Sequence, residues 1–218
     1  MAYRLIIGNK NYSSWSLRPW LLLKQLNLSF EEVQIPFDTA EFKARALEYS
    51  PAGKVPVLVD GDITVWDSLS IFEYLAECHP ALKLWPQAAA ERTLARSISA
   101  EMHSGFMNLR NLMPMNCRKR FPGKGHTPEV LQDIARIIGI WQDCRARHAA
   151  SGPFLFGHFT IADAMYAPVV LRFRTYAVGL PAESQAYADA ILALPAMQEW
   201  LAVAAAEGQT LAHFEPYS

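Results

Sequence analysis

Asp67 and Ser68 are the residues whose position most clearly predicts chemistry. They open an apolar-periodic segment and directly follow two short apolar runs, at 55–59 and 63–66. Aspartate and serine are preferred N-cap residues, so the pair predicts the start of a helix. A helix start presents unpaired N–H groups and the positive end of a dipole, which together favour an anion. The pattern predicts a site for an anionic, peptide-like ligand beside a strand edge; the alternative is an ordinary N-cap without a ligand.

The two apolar runs predict a β-hairpin ahead of that helix. They flank Asp60, Gly61 and Asp62, and glycine between β-prone runs accepts the positive φ that tight hairpin turns demand. Pro56 lies at the mouth of the first run, where it removes a backbone donor. Proline is tolerated there only at a strand end, at an edge or in a special turn.

The composition is that of an ordinary globular protein. The chain has 218 residues, of which 51% are hydrophobic and 19% charged, and its net charge is −1. This length suits one large domain or two small ones, and the charge gives no argument for nucleic acid or another polyanionic partner. No apolar run reaches ~18 residues, which argues against a membrane span. The N-terminus is interpreted as a first strand and not as a signal peptide.

The cysteines give no sign of a disulfide framework or a metal site. Cys78, Cys117 and Cys144 are odd in number, widely spaced and without close His or Cys partners. Three unpaired cysteines are most simply explained by a reducing compartment such as the cytosol. We therefore expect a cytoplasmic protein that needs no metal.

The elements of the N-terminal half follow one another in the order β-α-β-α-β-β-α. Apolar runs at 3–7 and 30–37 predict strands, and Pro36 makes the second an edge strand. Serines at 13–16 and Pro19 predict a helix that fades near Asn27, and 39–49 predict a short helix. With the hairpin and the helix at Asp67, this order predicts a thioredoxin-like α/β domain at 1–79, whose β-α-β half demands a parallel strand pair.

Strand signals vanish after a linker at 80–87. Helical periodicity predicts helices at 88–121, 127–150, 160–177, 182–194 and 195–207. Thr160 and Asp163 have the spacing of a capping box, in which each side chain satisfies the other's backbone N–H. Residues 88–218 are therefore predicted to form an all-helical C-terminal domain.

Four segments together resemble the cytosolic glutathione transferases. Residues 50–58 resemble the family's asparagine-proline … valine-proline segment, with Ser50 in place of the usual asparagine. Asp67-Ser68 matches the pair that opens the family's third helix, and 159–163 match the capping box of its buried helix. Residues 13–18 resemble the serine-bearing first loop of the theta and zeta-like classes. The resemblance spans nearly the whole chain and implies a thioredoxin-like domain followed by a helical one.

The resemblance implies glutathione as the co-substrate and a role for each residue of the predicted clamp. With a cis bond before Pro56, the backbone of Val55 would pair with the cysteinyl backbone of the tripeptide. Ser68 and the N–H groups at the helix start would hold the γ-glutamyl carboxylate, and Asp67 would accept from the α-ammonium group. Lys54 is the candidate for the glycyl carboxylate.

The resemblance also implies a hydroxyl that donates to the sulfur of glutathione at the start of the first helix. Ser13 is the first candidate, Ser14 the second and Tyr12 the third; the alternative is that the serines only cap the helix. Such a donor lowers the pKa of a thiol because the hydrogen bond and the helix dipole both favour the anion. Ser13 and Ser16 stand where thioredoxin relatives carry Cys-x-x-Cys, which excludes thiol–disulfide exchange by a nucleophile in this loop.

Several further residues have two interpretations each. His103 and Met107 border the electrophile pocket or pack in the core, and Trp15 and Trp20 line that pocket or the seam between domains. A basic cluster faces an acidic substrate or, as we favour, solvent; its members are Arg110, Arg118, Lys119, Arg120 and Lys124.

The function that these residues predict is glutathione-dependent transfer or isomerisation. The thiolate of glutathione is presented to a small electrophile, for conjugation, maleylacetoacetate-type cis–trans isomerisation, dehalogenation or peroxide reduction. The competing hypothesis is a non-catalytic interaction module with the same fold. The resemblance further implies a cytoplasmic homodimer with a role in detoxification, and no nucleic acid, membrane or metal partner.

Overall fold

A four-stranded mixed sheet forms the centre of the N-terminal half. The computed structural model describes residues 3–218. The strands are β1 Tyr3–Ile7, β2 Phe30–Gln34, β3 Val57–Asp60 and β4 Ile63–Trp66. They lie in the order β2-β1-β3-β4, with β1 and β2 parallel and the other two pairs antiparallel.

Three helices complete the N-terminal half, and the rest of the chain is helical. The first three are α1 Ser14–Gln25, α2 Phe42–Tyr49 and α3 Ser68–Cys78. The others are α4 Ala89–Ser104, α5 Met107–Leu112, α6 Pro128–His148, α7 Ile161–Tyr176, α8 Ala182–Leu192 and α9 Pro195–Ala206. The order β-α-β-α-β-β-α followed by helices confirms the predicted fold class.

The predicted hairpin is confirmed. Asp60 pairs with Ile63, so Gly61 and Asp62 form a two-residue turn, and Gly61 has the positive φ, 57°, that such a turn requires. Pro56 lies immediately before β3, where it interrupts no ladder hydrogen bond.

The prediction that β2 extends to residue 37 is wrong. β2 ends at Gln34, the last residue in register with β1, and the N–H of Ile35 makes one further bond to Ile7. Pro36 cannot donate and therefore ends the pairing. The strand lies at the edge of the sheet, as expected.

The single long helix predicted at 88–121 is also wrong. The chain breaks after α4 at Gly105, where a Cβ would lie 2.8 Å from the carbonyl oxygen of Glu101. Phe106 then adopts a left-handed conformation with a φ of 60° before α5 begins. A left-handed residue cannot continue an α-helix, so the apolar periodicity runs through two separate helices.

Helix α7 is the centre of the core. All but one of its residues are buried, and both α1 and α4 pack against it. Trp20 of α1 is fully buried and contacts Trp200 of α9, with ring centroids 5.1 Å apart. Trp20 therefore lies in the seam between the sheet domain and the helices and does not line the pocket.

The predicted capping box at the start of α7 is present. Oδ2 of Asp163 accepts from the N–H (2.8 Å) and the hydroxyl (2.9 Å) of Thr160, and Oδ1 accepts from the N–H of Leu155 (3.0 Å). We expect Thr160→Ala to lower the free energy of unfolding by about 1 kcal/mol, measured from the midpoint of urea denaturation. Thr93→Ala is the control, because the exposed Thr93 hydroxyl bonds only within its own helix; an equal loss in both variants would contradict the prediction.

Among residues 3–218, no single helix is long and apolar enough to cross a membrane. Helices α8 and α9 meet the criteria of length and composition only together, and they are bent by 71°. In the same part of the chain, no group of three or more His, Cys, Asp or Glu side chains could hold a metal ion.

Candidate active site

The segment before β3 presents an unpaired stretch of backbone. The Val55–Pro56 peptide bond is cis, as the resemblance implied. The pairing of β3 with β4 begins only at Val57, and neither the N–H nor the C=O of Val55 makes a hydrogen bond within residues 3–218. Half-buried backbone groups normally have partners, so the backbone of Val55 is available to an extended peptide that adds like a strand.

The start of α3 supplies an acceptor and an unpaired hydroxyl. Asp67 is the N-cap, and its Oδ1 accepts from the N–H groups of Leu69 (2.9 Å) and Ser70 (3.4 Å). Ser68 is 1% exposed, yet its Oγ has no hydrogen-bond partner in the described chain. Buried hydroxyls are usually satisfied. An unsatisfied one at a helix N-terminus therefore marks a place for a ligand's acceptor group.

The residues predicted to bind glutathione come together around one cavity of about 510 Å³. Its lining includes both the unpaired backbone of Val55 and the unpaired hydroxyl of Ser68. The complete lining is Trp15, Ala52, Lys54, Val55, Pro56, Trp66, Asp67, Ser68 and His103.

A second cavity of about 350 Å³ adjoins the first, with Trp15, Lys54 and Val55 common to both. It contains both candidate serines and is otherwise mostly aromatic and basic. Its remaining lining residues are Tyr12, Ser13, Ser14, Phe37, Phe42, Arg110, Pro114, Arg172 and Phe214. The first cavity is polar where it meets the start of α3, and the second is mostly aromatic and basic. The two adjoining cavities therefore suit two different reactants.

The two candidate serines differ in what their hydroxyls already do. Ser13 is the N-cap of α1: its Oγ accepts from the N–H of Ser16 (3.3 Å) and donates its proton to the Ser16 hydroxyl (2.7 Å). Ser14 is the first residue of α1, and its Oγ accepts from Nη2 of Arg172 (3.3 Å). With one lone pair engaged by a cation, the Ser14 hydroxyl keeps its own proton available to the cavity. The geometry thus favours Ser14, our second choice from sequence, over Ser13.

Tyr12, the third candidate, is not available to a thiol. Its hydroxyl donates to Oε1 of Glu215 (2.7 Å) and accepts from Arg118 (3.0 Å) and from the N–H of Leu211 (3.2 Å). The side chain is also buried. This candidate is therefore wrong, because a phenol with one proton cannot donate to both Glu215 and a sulfur.

The C-terminal segment 207–218 forms part of the site, which sequence reasoning missed. Glu207 accepts from the backbone N–H groups of Lys10 (2.7 Å) and Asn11 (3.0 Å) and so fixes the loop before α1. Phe214 stacks on Tyr12, with ring centroids 5.2 Å apart, and lines the second cavity. No local pattern in the sequence indicates these contacts, because the partners are about 200 positions apart.

Arg18 and Arg110 pack on Trp15 at the border of the two cavities, and Arg172 lies next to Arg110. The guanidinium carbons of Arg18 and Arg110 lie 4.3 and 4.8 Å from the Trp15 ring centroid. Arg172 donates to the carbonyl oxygens of Arg110 and Met113 as well as to Ser14. Within residues 3–218, none of the three guanidinium groups forms a salt bridge with a carboxylate.

The positive charge of this cluster is only partly compensated. Burial lowers the pKa of Arg110 to about 10, and burial together with the charge of Arg110 lowers the pKa of Arg172 to about 9. Arg18 is fully buried, and its Nη1 has no partner in the described chain. Our sequence interpretation of the basic cluster as a solvated face is therefore wrong for Arg110 and for Arg118, which bonds Tyr12 and the C-terminal segment.

His103 and Met107 have different environments. Nε2 of His103 lies 2.7 Å from Oδ2 of Asp67, and the ring packs edge-on against Trp15. Met107 is 55% exposed and belongs neither to the core nor to either cavity lining. His103 thus lines the first cavity and not the second, which is the one we associate with the electrophile.

Two family models match this chain in sequence. The model described as "Glutathione S-transferase, N-terminal domain" matches residues 12–78, and "Glutathione S-transferase, C-terminal domain" matches residues 118–202. Together they cover more than half of the chain. The chain belongs to the glutathione S-transferase family. Both cavities and the residues around Trp15 therefore lie in a glutathione S-transferase fold.

Relatives of this glutathione S-transferase include several proteins named as maleylacetoacetate isomerases. The chain is 28% identical to a probable maleylacetoacetate isomerase of Caenorhabditis elegans, over 81% of this chain and 88% of the relative. It is also 28% identical to the maleylacetoacetate isomerase of Rattus norvegicus, over 85% of each. A Burkholderia glutathione transferase homologue, solved with bound glutathione, has a TM-score of 0.71 at 22% identity, covering 94% of this chain and 98% of its own. At that identity, the likeness concerns the fold.

Proposed function

We propose that this transferase binds glutathione in the first cavity, stabilises its thiolate and adds it to a small electrophile in the second. The observation that supports this most is the junction of the cavities. There, the free backbone of Val55 and the hydroxyl of Ser14 line adjoining space, while the unpaired hydroxyl of Ser68 lies in the first cavity. A peptide paired with Val55 through its cysteine places the sulfur at this junction.

Each end of the tripeptide has a candidate partner. Val55 pairs with the cysteinyl backbone, and Ser68 holds the γ-glutamyl carboxylate through its hydroxyl and its own N–H, which makes no hydrogen bond within residues 3–218. Asp67 accepts from the α-ammonium group, since a carboxylate offers about four lone-pair sites and its capping and His103 bonds occupy only part of them. Lys54, which is exposed beside Val55, is the partner for the glycyl carboxylate.

The chemical step needs a thiolate and an electrophilic carbon. That carbon either carries a leaving group or accepts the sulfur by addition. A free thiol with a pKa of ~8.5 is mostly protonated at pH 7, so a donor that lowers this pKa increases the reactive fraction. In conjugation, the sulfur lone pair forms the carbon–sulfur bond and the leaving group departs with its bonding electrons. We propose that the hydroxyl of Ser14, with Arg172 behind it, is that donor, and that Ser13 supports it by capping α1.

Retention on immobilised glutathione followed by ultraviolet titration of the bound thiolate tests this function. A bound thiol with a lowered pKa supports the enzyme. Binding without a lowered pKa supports the alternative, an interaction module without turnover.

Ser68→Ala tests the clamp separately from the chemistry. We expect KM for glutathione to rise about tenfold, because a hydrogen bond to a charged group is lost, while kcat changes less than about twofold. The matched control is Ser70→Ala, two positions along α3 and outside the cavity lining. An unchanged dissociation constant for glutathione in the Ser68 variant would exclude this role.

The arginines around Trp15 favour a second candidate, isomerisation of an acidic electrophile. Arg110 and Arg172 line the second cavity without carboxylate partners, so a substrate carboxylate would relieve their mutual repulsion. The thiolate would add to one carbon of a cis double bond, the resulting single bond would rotate, and loss of the thiolate would restore the double bond and free glutathione. Turnover of a cis-enedione carboxylate with no net consumption of glutathione would identify this reaction.

We also propose a cytoplasmic homodimer with a role in detoxification, as the family resemblance implies. Sedimentation equilibrium of the purified chain measures the oligomeric state directly.

A further inference from the structure

We propose that His103 is a positioning residue for glutathione, which aims Asp67 at the α-ammonium group of the ligand. The inference rests on the proposed function and gives the helical domain a part in ligand affinity. His103 lies in the last turn of α4, and its Nε2 is 2.7 Å from Oδ2 of Asp67. Because a charged carboxylate can only accept, Nε2 carries the proton of this bond.

The contact fixes the one oxygen of Asp67 that the helix cap leaves free. Oδ1 is held by the N–H groups of Leu69 and Ser70, and Oδ2 by His103. With both oxygens held, the carboxylate plane cannot rotate, although the side chain remains 40% exposed. A ligand ammonium therefore meets an acceptor that is already oriented, which reduces the entropy lost on binding.

The imidazole of His103 is itself held in place from the opposite side of the seam. Its ring meets Trp15 edge-on, with centroids 5.3 Å apart and an interplanar angle of 69°. The guanidinium groups of Arg18 and Arg110 cover the Trp15 ring in turn. His103 thus joins α4 to α1 and to the start of α3, and only 27% of its side chain is exposed.

The position of the pair specifies which ligand group it serves. Asp67 is adjacent to Ser68, whose unpaired hydroxyl suits a carboxylate. Within residues 3–218 the N–H of Ser68 also makes no hydrogen bond, and an anionic acceptor next to these two neutral donors is complementary to an α-amino acid in its zwitterionic form. The γ-glutamyl end of glutathione carries that group. His103 should therefore affect recognition of the ammonium and not of the thiol or the glycyl end.

The test compares glutathione with its deaminated analogue, glutaryl-cysteinyl-glycine, in calorimetric titrations of the full chain. We expect His103→Leu to raise the dissociation constant of glutathione about tenfold, as for loss of a hydrogen bond to a charged group, and that of the analogue less than about twofold. Steady-state kinetics should show the same rise in KM for glutathione with kcat nearly unchanged. A purely structural role would weaken both ligands alike.

Two further variants complete the experiment. His103→Gln places an amide N–H near the position of Nε2 and should restore affinity to within about threefold of the unmodified chain. Ser104→Ala, the next residue of α4 with an exposed hydroxyl that bonds only Ala100, should leave both ligands unaffected. An equal loss for both ligands, or no loss for glutathione in the leucine variant, would overturn the role of His103 while leaving the proposed function intact. Failure of the unmodified chain to bind glutathione would overturn both.

Discussion

Ser14→Ala should lower kcat/KM by up to about 30-fold at pH 7, because a bound thiol that has lost its hydrogen-bond donor ionises little more than a free thiol does. The hydroxyl of Ser14 lines the second cavity at the N-terminus of α1 and accepts a hydrogen bond from Arg172. In the proposed mechanism, its loss removes the hydrogen bond to the sulfur but leaves the helix dipole. The pKa of bound glutathione should therefore rise toward that of the free thiol.

The size of this effect follows from the thiol equilibrium. A free thiol with a pKa of ~8.5 is about 3% ionised at pH 7, and each unit of lowering corresponds to about 1.4 kcal/mol. The rate of Ser14→Ala should consequently recover as the pH rises, because the bound thiol then loses its proton to the solvent without a stabilising donor. The measurements are kcat/KM between pH 6 and pH 9 and the thiolate absorbance of the bound tripeptide.

Ser13→Ala is the matched comparison for this prediction. Ser13 has the same side chain one position earlier, but its oxygen accepts from the N–H of Ser16 as the cap of α1. Its loss should cost about 1 kcal/mol of stability and change the pKa of the bound thiol much less than Ser14→Ala. If Ser13→Ala raises the thiol pKa and Ser14→Ala does not, the order of the two serines given by the sequence is right and the order favoured by the geometry is wrong.

Features that depend on neighbours in the chain were predictable from the sequence. The turn at Gly61, the cap at Asp67 and the capping box of Thr160 and Asp163 each arise from residues within about four positions of one another. Turn and cap preferences are local properties of the backbone, so they are visible in a short window. The order of these elements then sufficed to predict the fold class.

The boundaries of the periodic segments were less predictable. The apolar pattern at 88–121 continues through Gly105 and Phe106, although the helix does not. A glycine in a helical pattern is compatible with both a helix and a break. Here, Gly105 lies too close to the carbonyl of Glu101 for a side chain and Phe106 is left-handed, so the helix ends although the apolar pattern continues.

The choice among the candidate thiol donors could not be made from the sequence, because distant residues decide it. Arg172 orients Ser14 from 158 positions away, and Glu215 engages Tyr12 from 203 positions away. The sequence around Arg172 or Glu215 contains no local pattern that indicates these distant contacts. A buried arginine without a carboxylate partner is recognisable only once burial is known.

Glu215→Gln should lower the free energy of unfolding by about 2–3 kcal/mol, because the hydrogen bonds to a buried charged group are weakened or lost. The Glu215 side chain is 1% exposed and pairs with Lys119 at 2.6 Å. It also accepts from Tyr12 (2.7 Å) and Asn116 (3.1 Å). The variant leaves Lys119 and the neighbouring Arg118 without their negative partner. Urea denaturation measures the loss, and Glu199→Gln, at an exposed bridge to Lys24, is the control and should cost less than about 1 kcal/mol.

The same contact should make the protein sensitive to acid and should connect the C-terminal segment to catalysis. Burial alone would raise the pKa of Glu215, but hydrogen bonds from Lys119, Tyr12, Asn116 and Ser218 outweigh it and lower the pKa to about 2. Because this pKa lies below the value of about 4.3 in the unfolded chain, the stabilisation is complete above pH ~4.3 and is lost as the pH falls toward 2. Unfolding free energies between pH 2.5 and pH 6 should therefore show a shallower acid dependence in the variant than in the unmodified chain.

Tyr12 precedes the two candidate serines directly, so a Tyr12 released from Glu215 should also lower kcat. Full activity in a destabilised variant would show that the C-terminal segment serves stability alone.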